Sequence, residues 1–124
     1  PSGLSIIIVA FNRAEALLAT LREVSALAPI AHSRGEIIVV DTLTDDTVAR
    51  VRAGFPGVRL ITMLTNTGVE AFNAGVRASN RELVLILDDD AHPDPAGLDA
   101  AIDLLAREPR MGAVALLPVH PATK

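Results

Sequence analysis

The sequence predicts an α/β fold: one domain, residues 1–124, in three layers, with helices on both faces of a mostly parallel, Rossmann-like sheet. Three observations carry this. Short apolar runs alternate with segments whose apolar residues recur at helical spacing, the order that builds right-handed strand–helix–strand units. The runs Ile6-Ile7-Ile8-Val9, Ile37-Ile38-Val39-Val40 and Leu83-Val84-Leu85-Ile86-Leu87 are continuous rather than alternating, as in strands buried on both faces. Half of the residues are hydrophobic, with three Phe and neither Trp nor Tyr, so aliphatic strands must pack on aliphatic helices.

Taken in order, Leu4 to Ala10 reads as the first strand and Phe11-Asn12 as its turn. Asn12 with Glu15 three residues later forms a capping box for a helix lined by Leu17, Leu18, Leu21, Val24 and Ala28 and stopped by Pro29. Glu36 to Asp41 holds the second strand. A short helix with Val48 and Val51 inward follows, closed by Gly54-Phe55-Pro56-Gly57. Val58 to Leu64 is the third strand, Asn66-Thr67-Gly68 a turn, and Val69, Phe72 and Val76 the apolar stripe of the next helix. Leu83 to Leu87 is the fourth strand. Asp94 is an N-cap with Pro95 at the first helical position, ahead of Leu98, Ile102 and Leu105. Ala113 to Leu117 reads as a fifth strand.

Composition excludes several classes. The net charge of −4 argues against a nucleic-acid partner. With no Cys there is neither a disulfide nor a thiolate site. No apolar run is long enough to span a bilayer, and no secretory signal is visible, so the expected location is the cytoplasm. The chain begins without Met and stops after a strand-like run, and is expected to be part of a longer protein.

The chemistry rests on acids and amides at strand ends. Parallel strands put Phe11-Asn12, Asp41 and Asp88 to Asp90 on one edge, where open α/β sheets bind ligands. Three adjacent aspartates repel one another; a hard divalent cation bridging them to a phosphate-bearing ligand relieves this, and a solvated capping turn is the plainer alternative. Asp41 is either a turn former or an acceptor for a base or sugar edge. Asn66-Thr67-Gly68 and Asn73-Ala74-Gly75 flank a helix start, where a tight turn brings backbone close to an anionic ligand; turn chemistry alone also explains them. His92 reads as a solvated loop residue. Gly-x-Gly-x-x-Gly, the phosphate-loop pattern and the Gly-x-Ser-x-Gly elbow are all absent.

Four segments in order resemble the amino-terminal half of a family 2 glycosyltransferase of the GT-A fold: Ser5 to Arg13, Glu36 to Asp41 with Thr44-Asp45-Asp46-Thr47, Asn66 through Gly75, and Leu87-Asp88-Asp89-Asp90, which looks like the DxD motif. The resemblance implies a nucleotide-diphosphate sugar donor, a carbohydrate or lipid-linked acceptor, and inverting transfer assisted by Mg2+ or Mn2+. It implies that Ala10, Phe11, Asn12, Asp41, Asn66, Gly68, Asn73, Asp88 and Asp89 contact the donor nucleotide, and that Asp90 and Asp88 hold the metal. Phe11 stands where Tyr is common, and Thr42-Leu43-Thr44 replaces a Gly-containing turn. The family's general base is expected beyond Lys124. The expectation is therefore a truncated form of the fold, with an exposed sheet edge or apolar face that self-association would cover, and, in the whole protein, a site at the inner face of the membrane. The rival readings are a nucleotidyltransferase and a non-catalytic nucleotide- or partner-binding module.

Overall fold

The computed structural model describes residues 3–10, 14–27, 35–41, 47–63, 69–89 and 92–108. The chain divides into two compact units, Pro1–His92 and Pro93–Lys124. The first contains β1 (Leu4–Ala10), α1 (Ala14–Ser25), β2 (Gly35–Asp41), α2 (Thr47–Gly54), β3 (Arg59–Thr62), α3 (Val69–Ala78) and β4 (Leu83–Asp88). All four strands are parallel, in the order β3-β2-β1-β4.

This order fixes which helices share a face. From β1 to β3 the chain steps in one direction across the sheet, then returns over β2 and β1 to reach β4. Right-handed crossovers therefore set α1 and α2 on one face and α3 on the other. Packing agrees. Ile7 and Val9 of β1 and Ile38 and Val40 of β2 form a buried cluster with Ala71 of α3, and Phe72 and Ala78 lie against it. The alternate residues Ile6, Ile8, Ile37 and Val39 are buried on the opposite side. There α1 buries Leu17, Leu21 and Val24, α2 buries Val51, and Arg50 bonds Glu15 at 2.7 Å to tie the two helices.

The strand boundaries expected from the sequence hold within a residue or two, and β3 is shorter than expected. Two expectations are corrected. β4 is not buried on both faces: Val84 is 39% exposed and Ile86 50%, although Leu87 is buried. Val84 and Ile86 pair in register with Ser5 and Ile7, so they share the α3 face, but α3 packs over β1 and β2 and leaves β4 open there. A run of apolar residues reports that a strand can be covered, not that both covers exist. The stripe of α3 also differs. Its buried line is Ala71 and Gly75, whereas Val76 is 42% exposed. A Cβ at Gly75 would collide with Ile7 Cγ2, so glycine is what allows this helix to lie so close to β1. Val76, Val84 and Ile86 are the large apolar side chains left exposed among the described residues.

The edge of the sheet where the strands begin is fastened by one carboxylate. Glu36 accepts hydrogen bonds from Ser5 Oγ (2.7 Å), from the Asn80 backbone N–H (2.6 Å) and from Arg59 Nη1 (2.8 Å), and Arg59 also donates to the carbonyl of Ala78. Burial pushes the Glu36 carboxyl up, but these donors outweigh it and hold the group below the usual carboxylate range. The last turn of α3 is thereby bound to β1, β2 and β3.

In the second unit, α4 (Pro95–Arg107) starts as expected. Asp94 is the N-cap, its Oδ2 accepting from the Gly97 N–H at 3.0 Å, with Pro95 in the first turn. Leu98 is buried, and Ile102 and Leu105 are half-buried. The expected fifth strand, Ala113 to Leu117, lies outside the described residues. Among the described residues no helix is long and apolar enough to cross a membrane.

Candidate donor site at the carboxyl edge of the sheet

Each site acid owes its place to strand register. Ala10 is level with Asp41, and Val9 is level with Asp88. The carboxyl ends of β2, β1 and β4 thus lie side by side, with Asp41 and Asp88 two strands apart, about 10 Å at ordinary strand spacing. The backbone carbonyl of Asp41 accepts from the Met63 N–H at 2.9 Å, which anchors the end of β2 to the chain leaving β3.

The acids differ in setting. Asp41 follows Ile37 and Val39 on the α1/α2 face and is fully buried. Asp88 follows Val84 and Ile86 on the other face and is exposed. Asp89, the first residue past β4, is buried, and its backbone carbonyl accepts a 2.8 Å hydrogen bond from Thr20 Oγ1 of α1. Asp41 and Asp89 are therefore enclosed by the fold, and Asp88 is open to solvent on the same edge. A buried acceptor suits a neutral donor edge such as a base or sugar, and an exposed acid suits a hydrated cation and, through that cation, a diphosphate.

Ala10, Asp41, Asp88 and Asp89 are brought together. Asn73 is exposed on the side of α3 turned from the sheet, since Ala71 and Gly75 face it. His92 is exposed. Phe11, Asn12, Asn66, Gly68 and Asp90 lie outside the described residues. Among the described residues, no three acids or histidines gather as a metal cage. Sequence reasoning missed Thr20. Its signal was a hydroxyl in the same helical stripe as Leu17, Leu21 and Val24, a position that costs desolvation unless a partner is waiting.

Comparison with known proteins places this edge in context. No curated relative matches the chain. Solved structures do. S. aureus TarS 1-349 superposes with a TM-score of 0.72 at 21% identity, over 85% of this chain and 32% of that one. The same protein in complex with UDP-GlcNAc gives 0.71 at 21% identity, over 85% and 31%. The mannosyltransferase PcManGT from Pyrobaculum calidifontis, in complex with GDP-Man and Mn2+, gives 0.70 at 27% identity, over 83% and 32%. The fold is thus that of GT-A glycosyltransferases, and this chain spans about a third of the length of these neighbours. The model of the glycosyl transferase family 2 matches residues 5–123, from the second residue of β1 through all four segments that carried the resemblance. With nearly the whole chain covered, and the parallel sheet the family resemblance implied in place, the chain belongs to glycosyl transferase family 2.

Proposed function

We propose that this chain is the donor-binding part of an inverting glycosyltransferase, one that moves a hexosyl or related sugar from a nucleotide-diphosphate sugar to an acceptor hydroxyl with the help of a divalent cation. The observation that carries the reading is the register that sets Ala10, Asp41, Asp88 and Asp89 at adjacent strand ends on one edge of the sheet. Two structural neighbours support it by what they hold, UDP-GlcNAc in TarS and GDP-Man with Mn2+ in PcManGT.

The residues divide the work by burial and charge. Asp41 accepts hydrogen bonds from the base, and its enclosure keeps water from competing for them. The turn Ala10-Phe11-Asn12 lines the base from the end of β1. Asp88 and Asp89 meet the ribose and diphosphate side, and Asn66 and Gly68 close the nucleotide from the loop before α3. Asp88 and Asp90 would hold Mg2+ or Mn2+. These donors fit the ion: both cations take one or two carboxylates and fill their remaining positions with phosphate oxygens and water, so a three-acid cage is not required. When bound, the ion neutralises the charge that develops on the departing diphosphate. The acceptor, a carbohydrate or a lipid-linked saccharide, attacks the anomeric carbon from the face opposite the diphosphate. The bond from the acceptor oxygen forms as the bond to the diphosphate breaks, the hydroxyl proton passes to a general base, and the configuration inverts. A lipid-linked acceptor would place the reaction at the cytoplasmic face of the membrane.

The test is a calorimetric titration of the folded chain with UDP, GDP and dTDP, with and without Mn2+. At least one nucleotide should bind in a metal-dependent way, and Asp90→Ala should abolish that dependence. Binding that ignores both Mn2+ and Asp90→Ala would overturn the metal assignment. A folded chain that takes none of the three would favour a partner-binding module instead.

A further inference from the structure

Thr20 sits in the middle of α1, in its buried stripe, and donates a 2.8 Å hydrogen bond to the backbone carbonyl of Asp89, on a residue 69 positions away in the chain. Pairing of β1 with β4 stops at Val9 and Asp88, so the carbonyl of Asp89 lies past the end of the ladder. Buried backbone acceptors need a partner, and here it is a side chain reaching across from a helix. The choice of carbonyl matters. The peptide unit is planar, so fixing the oxygen of Asp89 fixes the plane of the peptide group that Asp89 opens as the chain leaves β4. Val is nearly the same shape as Thr and would fill the stripe equally well; what it lacks is the hydroxyl. Thr is also a poorer helix former than Leu or Ala, so helix propensity does not favour it at this position.

We propose that Thr20 is a positioning residue of the donor site, its hydroxyl holding the backbone at Asp89, just past the end of β4, in the orientation that lets this end of the strand take the diphosphate and its cation. The inference rests on the donor-site reading above. The link has a second consequence. β1 ends at Ala10 and α1 begins at Ala14, so Thr20 joins the helix that follows β1 to the backbone that follows β4. A bond of this kind sets relative position rather than affinity in itself.

The experiment compares wild type, Thr20→Val and Thr20→Ser by the factor through which Mn2+ strengthens binding of the best nucleotide diphosphate. Circular dichroism and a urea midpoint are taken on each. In Thr20→Val the factor should fall about tenfold, equivalent to about 1.4 kcal/mol. Thr20→Ser, which keeps the hydroxyl, should retain it within about twofold, as expected when the hydrogen bond and not the methyl matters. A purely structural role would lower the urea midpoint of Thr20→Val and leave the factor alone, and that result overturns the proposal. If Thr20→Val does not fold, a folded Thr20→Ser that has lost the metal response overturns it equally. Wild type lacking any metal-dependent nucleotide binding would instead remove the donor-site reading, and the proposal with it.

Discussion

Replacing Gly75 by Ala puts the packing of α3 to a quantitative test. Two effects oppose each other. In a helix interior Ala is better than Gly by about 1 kcal/mol. Against that, the new Cβ would overlap Ile7 Cγ2, and would stand 3.4 Å from Val40 Cγ2 and 3.5 Å from Ile7 Cβ. Ile7 and Val40 are fully buried and β-branched, so their stiff side chains have little room to turn aside. Overpacking of this kind costs roughly 1–3 kcal/mol, and the rigidity of both neighbours points to the upper end. The expected net loss is about 2 kcal/mol. For a domain of this size that corresponds to a fall in Tm of about 8 °C. Urea unfolding gives the free energy and a thermal melt followed by circular dichroism gives Tm. Gly54→Ala is the control, because a Cβ there meets nothing within 4 Å, and its Tm should hold or rise slightly. The Ile7→Ala/Gly75→Ala pair should be less damaging than the sum of its parts, since the methyl added to α3 then fills space that the Ile7 side chain vacates. A Gly75→Ala protein as stable as wild type would refute the close approach of α3 to β1 and, with it, the reason given for glycine at this position.

Two further outcomes follow from polar groups outside the donor site. Glu36 is held below its usual range, so its stabilising contribution is complete at neutral pH, starts to fall near the ordinary value of 4.5 and is lost as pH drops through the folded-state value. Glu36→Gln should therefore be about 2 kcal/mol less stable than wild type at pH 7, the scale of hydrogen bonds to a charged group, with the gap closing below pH 4.5; a gap that widens in acid would contradict the direction of the shift. Asp94→Ala should free the Gly97 N–H and speed its hydrogen exchange roughly fivefold, from a cap worth about 1 kcal/mol, and an unchanged rate would mean that the bond to Asp94 Oδ2 does not protect it.

The sheet was legible because its strands are written as blocks of Ile, Val and Leu that no helix period fits, and because each block ends in a polar turn. Asp41 and Asp88 fall on one edge by sequence alone, since parallel strands share a direction. The cap at Asp94 was readable from two adjacent residues. What escaped the sequence is whatever depends on neighbours distant in the chain. Ile86 looks as apolar as Ile38, yet one is half exposed and the other fully buried, because the strand order leaves β4 with only β1 beside it among the described residues. Gly75 read as part of a turn motif, and is in fact the thin point of a helix lying on Ile7. Thr20 went unmarked in the sequence, and its partner is the backbone carbonyl of Asp89. In each case local pattern names the element, while long-range contact decides which of its faces is covered and which atom needs a partner.

The central claim is that the edge bearing Asp41 and Asp88 binds the nucleotide diphosphate and its cation. The most direct measurement is an amide NMR spectrum of the folded chain with the preferred nucleotide diphosphate, recorded before and after substoichiometric Mn2+. The account predicts paramagnetic broadening of Ala10, Asp41, Asp88 and Asp89, with Ser5, Glu36 and Asn80 at the opposite edge left sharp. Broadening centred on Glu36 and Asn80, or spread evenly over the surface acids, would contradict it.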